Sequence, residues 1–343
     1  MLINKTHGTV YAGAGITKEA LGHIWADRKY TRPMLFYDGA VPIGDLNALE
    51  FFGEIRLDCQ TEPTYEALTE ILFRARSIYE RRKWDVIVVV GGGSALDIAK
   101  AVAVLLTNNG DPLSFRGFNK IRRPGLPVIA IPSTLSGSEA TNNASFTDTQ
   151  TQRKMGINGA HMFTEFAILD TQWLPAEDSP VWAGTFLDAL THAYESGVCR
   201  QANHLTRYMS SQALAFLSSG DRELIQIGAY LAARALCNSG SGIAGALSYP
   251  LGVLYGVPHG VAGGIFLPDA IRFNDGPGAP LAEWVAEFLA VYGVSTNLRD
   301  YGVEDLEPLQ NQVKELQAAF DQNPTPFDAE KDGFAVLNRH WKK

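Results

Sequence analysis

The sequence predicts an α/β dinucleotide-binding domain of the doubly wound, Rossmann-like kind followed by an all-α domain, and three observations predict it. Short, fully apolar runs such as VIVVV (86–90) suit strands of a sheet covered on both faces. In the first half these runs alternate with helical stretches, as in RPMLFYDGA, YEALTEILFRARSIYERRK and LPVIAIPST. Beyond FAILDTQWLPAEDSP β-branched runs become scarce, and patterns such as TRYMSSQALAFL, RELIQIGAYLAARALC and LAEWVAEFLAVYG read as helix after helix. Pro175 and Pro180 bracket a short acidic linker, so the expected domains are residues 1–178 and 179–343.

Bulk properties restrict the function. At 343 residues, 46% hydrophobic and 19% charged, the chain buries a large core. A formal charge of −8 argues against a nucleic-acid partner, which needs a concentrated basic surface. Cys59, Cys199 and Cys237 are widely spaced and odd in number, which fits neither a disulfide framework nor a thiolate zinc site. The N-terminal stretch lacks the apolar core of a signal peptide, and no run approaches the roughly 18 apolar residues of a membrane span. A cytoplasmic protein without membrane partners is the expectation.

Taken in chain order, the first candidate is Asp38, at the end of the predicted strand MLFYD. A carboxylate there can hydrogen-bond an adenosine ribose and repel a 2′-phosphate; it can equally be a turn aspartate before Gly39. Next, VIVVVGGGSALDIAK runs from a buried strand through Gly91, Gly92, Gly93 and Ser94 into a helix. Consecutive glycines let a diphosphate approach the backbone, and the free N–H groups of the helix favour its charge. The motif is neither G-x-G-x-x-G nor a Walker loop. Lys100 either faces the phosphates or solvates its helix, and the second is the expectation. Downstream, IPSTLSGSEAT ends another strand in Ser133, Thr134, Ser136 and Ser138, hydroxyls that line a cleft or shape a turn.

The second half carries the metal chemistry. In FLDALTHAYE, Asp188 and His192 stand one helical turn apart and share a face, where a carboxylate and an imidazole can converge on one ion or pair with each other. His259, between Pro258 and Gly260 at the head of an apolar run, is the best further ligand candidate among seven histidines.

Together, GGGSALDIAK, IPSTLSGSEAT, DALTHAYES and ALSYPLGVLYGVPHG, in that order and near those separations, resemble the iron-containing (group III) alcohol dehydrogenases. The resemblance covers nearly the whole chain. It implies hydride transfer in a cleft between an N-terminal dinucleotide-binding domain and a helical domain, the architecture shared with dehydroquinate synthase. It implies further that Gly92, Gly93 and Ser94 hold the pyrophosphate, that Asp38 selects NAD(H) over NADP(H), and that Thr134, Ser138 and Lys154 line the nicotinamide side. Asp188, His192 and His259 match three of the family's four metal positions, for Fe2+ or Zn2+. The fourth, a histidine fourteen residues before the Pro-His-Gly histidine, falls here on Gly245. Tyr249 stands where many members carry a second histidine, and with His259 it is a catalytic candidate, as a proton relay or a packing residue.

Two outcomes follow for the ion. One carboxylate and two imidazoles can hold it with an open position, as catalytic zinc sites do. Alternatively the site works without metal, as the resemblance to the maleylacetate reductase branch allows. The chain is also shorter than the family usually is after ESGVCRQANHL and after RFNDGPG. The expected reaction is reversible reduction of a small aldehyde or ketone by NADH. A lyase of the dehydroquinate synthase type would need a basic pocket, for which only Arg153 and Lys154 cluster. A nucleotide-binding scaffold without chemistry is the non-enzymatic alternative. Dimers are common among chains that resemble this one.

Overall fold

Six aliphatic runs build one parallel sheet in the computed structural model of the chain, which describes residues 8–46, 49–59 and 62–341. In chain order these are β1 (Thr9–Ala12), β2 (Pro33–Asp38), β3 (Gly53–Leu57), β4 (Val86–Gly91), β5 (Val128–Pro132) and β6 (Phe166–Leu169). Three helices lie between the first of them: α1 (Thr17–Arg28), α2 (Tyr65–Arg81) and α3 (Gly93–Leu105). The sheet order is β1-β6-β5-β4-β2-β3, all parallel.

β4 explains why its sequence shows no alternation. Ile87 and Val89 belong to the core formed with α2 and α3, whereas Val86, Val88 and Val90 belong to the core on α1. Both faces are covered, so every residue of the strand is buried. The fold class expected from the sequence is the one observed.

The order of the strands positions the first candidate site. β3 is the outer neighbour of β2, and the chain then returns past β2 to place β4 inside and β5 beyond it. Tyr37 pairs with Val90 and Gly91 with Pro132, so the carboxyl ends of β2, β4 and β5 stand side by side. Open α/β sheets bind their ligands outside the carboxyl ends of the strands, where the order reverses.

By contacts within the chain, residues 8–175 with Asp221–Tyr230 form one compact unit, and Ala176–Gly220 with residues 231–341 form another. The second unit contains α4 (Pro180–Val198), α5 (His204–Leu217), α7 (Ile243–Tyr255), α8 (His259–Asp275) and α9 (Pro280–Val291), with α6 (Arg222–Asn238) beginning among the residues of the first. α4 starts at a sequence signal: Ser179 caps it by accepting from the Trp182 N–H at 3.1 Å, and Pro180 fills the first helical position, where no amide donor is required. α8 lies against α4 along a stripe of glycines. A Cβ on Gly260 would overlap the Gly184 carbonyl and come within 2.7 Å of Asp188 Cβ; one on Gly264 would come within 2.7 Å of the Leu187 side chain. Only glycine permits that approach of the two backbones. Among the described residues no helix is long and apolar enough to cross a membrane.

Candidate active site

The α/β unit gathers most of the residues expected to bind a dinucleotide around one turn. A Cβ on Gly91 would lie 3.1 Å from Asp38 Cβ and 2.6 Å from Ala95 Cβ. On Gly92 it would lie 3.1 Å from Thr134 Cγ2, and on Gly93 2.7 Å from Ser136 Oγ. The three glycines therefore fit closely between Asp38 on one side and the hydroxyl-rich loop after β5 on the other. Thr134 and Ser136 bond each other at 3.2 Å, and Ser94 sits half-buried in the first turn of α3. Asp38 Oδ1 accepts from the Ala40 N–H at 3.1 Å, so the turn-aspartate role is real and still leaves its second oxygen.

Two of the expected residues are engaged with protein groups. Ser138 donates to Asp97 and takes part in binding Lys100, whose ammonium lies 2.8 Å from the Ser138 carbonyl. Lys154 makes an ion pair with Glu62 at 2.8 Å. That pairing also engages half of the small basic cluster that a phosphate-binding lyase would need.

Lys100 differs most from its expectation. It does not solvate α3: it is 1% exposed and donates to the Ser138 and Asn143 carbonyls, with Thr141 Oγ1 at 3.4 Å. Asp97, one turn earlier, accepts from Ser138 and from the Ser145 N–H at 2.7 Å. Burial pushes the Asp97 carboxyl up against the nearby ammonium, and burial pushes Glu139 up to about 7. Lys100 and Asp97 thus tie the loop 138–145 to the helix that opens at the glycine turn. The signal lay in α3, GSALDIAKAVAVL: from Ile98 to its end it is apolar apart from Lys100, and a helix apolar all round is a buried one.

The helical unit brings Asp188, His192 and His259 together. One ligand atom from each lies within 4.8 Å of the others, and this is the one such trio among the described residues. α4 carries the first two one turn apart; the glycine stripe of α8 lets His259, its first residue, reach them. His192 Nε2 stands 3.5 Å and His259 Nε2 3.9 Å from the same oxygen, Asp188 Oδ1. These separations exceed an N–H···O hydrogen bond. Two donors held 2.0–2.2 Å from one tetrahedral ion are roughly 3.4 Å apart, so the residues present fit a divalent ion better than a histidine–aspartate pair. Asp188 is buried, while the His192 and His259 side chains are 15% and 27% exposed, leaving the nitrogen side open.

The Ser248 hydroxyl lies 2.6 Å from the Gly245 carbonyl and 3.0 Å from His259 Nδ1. When it donates to the carbonyl it accepts from Nδ1–H, the tautomer that leaves the Nε2 lone pair for an ion. Ser248→Ala is expected to weaken divalent-ion affinity by about 10- to 100-fold, the range seen for such supporting partners, as measured by competition with a chromophoric chelator. An unchanged affinity would show that the ring is oriented by packing alone.

Gly245, where a fourth ligand was sought, is fully buried at the start of α7. Its N–H donates to Glu195 Oε2 at 3.1 Å, beside the N–H groups of Gly242 at 2.8 Å and Ala244 at 2.6 Å and the Ser241 hydroxyl at 2.7 Å. Burial pushes the Glu195 carboxyl up, and these four donors oppose the shift. A Cβ on Gly245 would overlap Ser241 Oγ and come within 2.9 Å of Glu195 Oε2. Position 245 is therefore closely packed between Ser241 and the Glu195 carboxylate of α4. Tyr249, the other catalytic candidate, is 37% exposed, with its ring centroid 5.3 Å from that of His259.

Comparison with known proteins agrees over both units. The model of the iron-containing alcohol dehydrogenases matches residues 9–171, and that of the C-terminal part of the Fe-containing alcohol dehydrogenase family matches residues 182–280. This chain belongs to the iron-containing alcohol dehydrogenase family. The relatives it matches are named as alcohol dehydrogenases and aldehyde reductases. The chain is 29% identical over 267 residues to the 1,3-propanediol dehydrogenase of Citrobacter freundii, a match covering 67% of this chain and 69% of that one. Identity is 30% over 293 residues to the sulfoacetaldehyde reductase of Bilophila wadsworthia, covering 79% and 74%. For several other relatives of the alcohol dehydrogenase family the matched share of their length is 51–62%. The fold matches the crystal structure of sulfoacetaldehyde reductase from Bifidobacterium kashiwanohense in complex with NAD+, with a TM-score of 0.84 at 19% identity over 100% of both chains.

Proposed function

We propose that the chain reduces a small polar aldehyde, or oxidises the corresponding alcohol, with NAD(H) preferred over NADP(H) and a divalent ion, Fe2+ or Zn2+, held by Asp188, His192 and His259. The observation that carries this reading is the convergence of one carboxylate and two imidazole nitrogens at separations that suit an ion and not a hydrogen bond. Relatives named for 1,3-propanediol, lactaldehyde and sulfoacetaldehyde support short, polar substrates. Three widely spaced cysteines that form no disulfide among the described residues fit a reducing compartment, the cytoplasm.

The Gly91–Ser94 turn, where α3 presents its first unpaired N–H groups, would hold the pyrophosphate. The second oxygen of Asp38 would accept from a ribose hydroxyl and repel a 2′-phosphate. Thr134 borders the same turn, and Ser138 and Lys154 support its nicotinamide side. The chemistry the ion supplies when bound is Lewis-acid polarisation of the substrate oxygen. Ser248, by accepting from Nδ1–H, would keep His259 in the tautomer that ligation requires, and Tyr249, beside His259 and half-exposed, gives or takes the proton at its phenol oxygen.

A second reading, a metal-independent reductase, is favoured by Gly245, which supplies no ligand. NADH oxidation followed across short aldehydes and keto acids separates the two when the protein is stripped with chelator and then resupplied with Fe2+ or Zn2+. Turnover that returns only with the ion supports the first reading. Undiminished turnover in chelator establishes the second, and no oxidation of NADH under either condition overturns both.

A further inference from the structure

Glu195 is a buried carboxylate to which the proposed reaction gives no part. It is 2% exposed and stands on α4 seven positions after Asp188 and three after His192, so one face of the helix carries all three. Its four donors come from residues 241–245, at the entrance to α7. That helix has no cap of its own: Gly242, the residue before its first turn, offers no side chain, and the turn holds no acidic residue. Glu195 supplies both from a neighbouring helix. It accepts from N–H groups that have no partner within α7 and sets negative charge at the positive end of that helix. A Cβ on Gly242 would come within 3.0 Å of Glu195 Oε1, so the backbone meets the carboxylate with no side chain between them.

We infer that Glu195 is a positioning residue for the ion site: from the helix that carries Asp188 and His192 it holds the first turn of α7 in place, and through Gly245 and Ser248 it orients His259. The inference rests on the reading that those three residues hold a divalent ion. Gly245 passes the contact on. Its N–H donates to Glu195 Oε2 at 3.1 Å, its carbonyl lies 2.6 Å from the Ser248 hydroxyl, and that hydroxyl lies 3.0 Å from His259 Nδ1. Gly245 and Ser248 are three apart on one helix, so a displacement of the opening turn moves the hydroxyl against the imidazole. Hydrogen bonds to a charged acceptor are shorter and stronger than neutral ones, and burial strengthens them further. A capping role alone would lower stability and leave the ion untouched.

Titration of the chelator-stripped full chain with Co2+, read by visible absorption, separates the two roles in the unmodified chain, Glu195→Gln, Ser248→Ala and the double variant. Glutamine keeps the volume, removes the charge and turns a donor toward groups that are themselves donors. Glu195→Gln should weaken Co2+ by about tenfold, the scale of partners that support a ligand, and lower aldehyde kcat while the NADH dissociation constant is unchanged. In the Ser248→Ala background the same substitution should cost less than about twofold, because the two act through one path. Asn203→Ala, which removes the cap of α5 and destabilises the same unit, should leave Co2+ affinity unchanged. If Glu195→Gln is recovered unfolded, Ser241→Ala takes its place in the cycle; it removes one donor and should weaken Co2+ by about threefold. Additive losses in the double variant, unchanged Co2+ affinity in the single one, or an equal loss in Asn203→Ala overturns the inference and leaves the ion reading intact. Failure of the unmodified chain to bind Co2+ overturns both.

Discussion

His259→Ala is expected to lower divalent-ion affinity by at least about 100-fold and aldehyde turnover by about 10²–10³-fold while NADH still binds. The substitution removes one of three donors from a site that has no fourth protein ligand to fall back on among the described residues. It also removes the imidazole that links α8 to Ser248 on α7, so the open side of the site loses its orientation. Asp188 and His192, on one helix turn, would remain as an isolated pair 3.5 Å apart. Asp38, Gly91–Ser94 and Thr134, proposed to bind the dinucleotide, belong to the α/β unit and are untouched. Metal content by elemental analysis, NADH binding by fluorescence and turnover with an aldehyde check the three parts separately.

Lys100→Met has the largest expected effect on stability, a loss of about 3–5 kcal/mol, because it leaves the Asp97 carboxylate, only 13% exposed, without its counter-charge and two buried carbonyls without their donor. Lys100 is 1% exposed and its ammonium lies 3.9 Å from Asp97 Oδ1. Methionine matches the length of the lysine stem but cannot satisfy the Ser138 and Asn143 carbonyls, which would be buried unpaired. Because those bonds hold the loop 138–145 against α3, dinucleotide affinity should fall with stability. Urea unfolding measures the first effect, and titration with adenosine 5′-monophosphate at a denaturant-free temperature well below the transition measures the second. Adding Asp97→Asn should recover part of the loss, since the uncompensated charge goes with it.

What could be read from the sequence depended on how far each feature reaches. β4 was legible because a strand covered on both faces writes its burial into five consecutive aliphatic residues. Asp188 and His192 were legible because a helix fixes neighbours four apart, whatever surrounds it. His259 needed only its flanking proline and glycine to stand out as the opening of α8. The glycines at 260 and 264 were present in the same stretch, but their purpose depends on α4, more than 60 positions earlier, and no local pattern discloses it. Gly245 was legible as a departure from the family's ligand pattern; its crowding by Ser241 and by the Glu195 carboxylate arriving from α4 was not. Lys100 was misread for a related cause. A charged residue is ordinarily placed on the wet face of its helix, and here both faces are dry.

The most direct test of the account is titration of chelator-stripped protein with Co2+, followed by its visible absorption and by calorimetry, for the unmodified chain and for His259→Ala. The account predicts one ion per chain, with the intense ligand-field bands of a low-coordinate nitrogen–oxygen site that Zn2+ displaces, and loss of that spectrum in the substituted protein. Binding of no ion by the unmodified chain, or equal binding by both proteins, would contradict it.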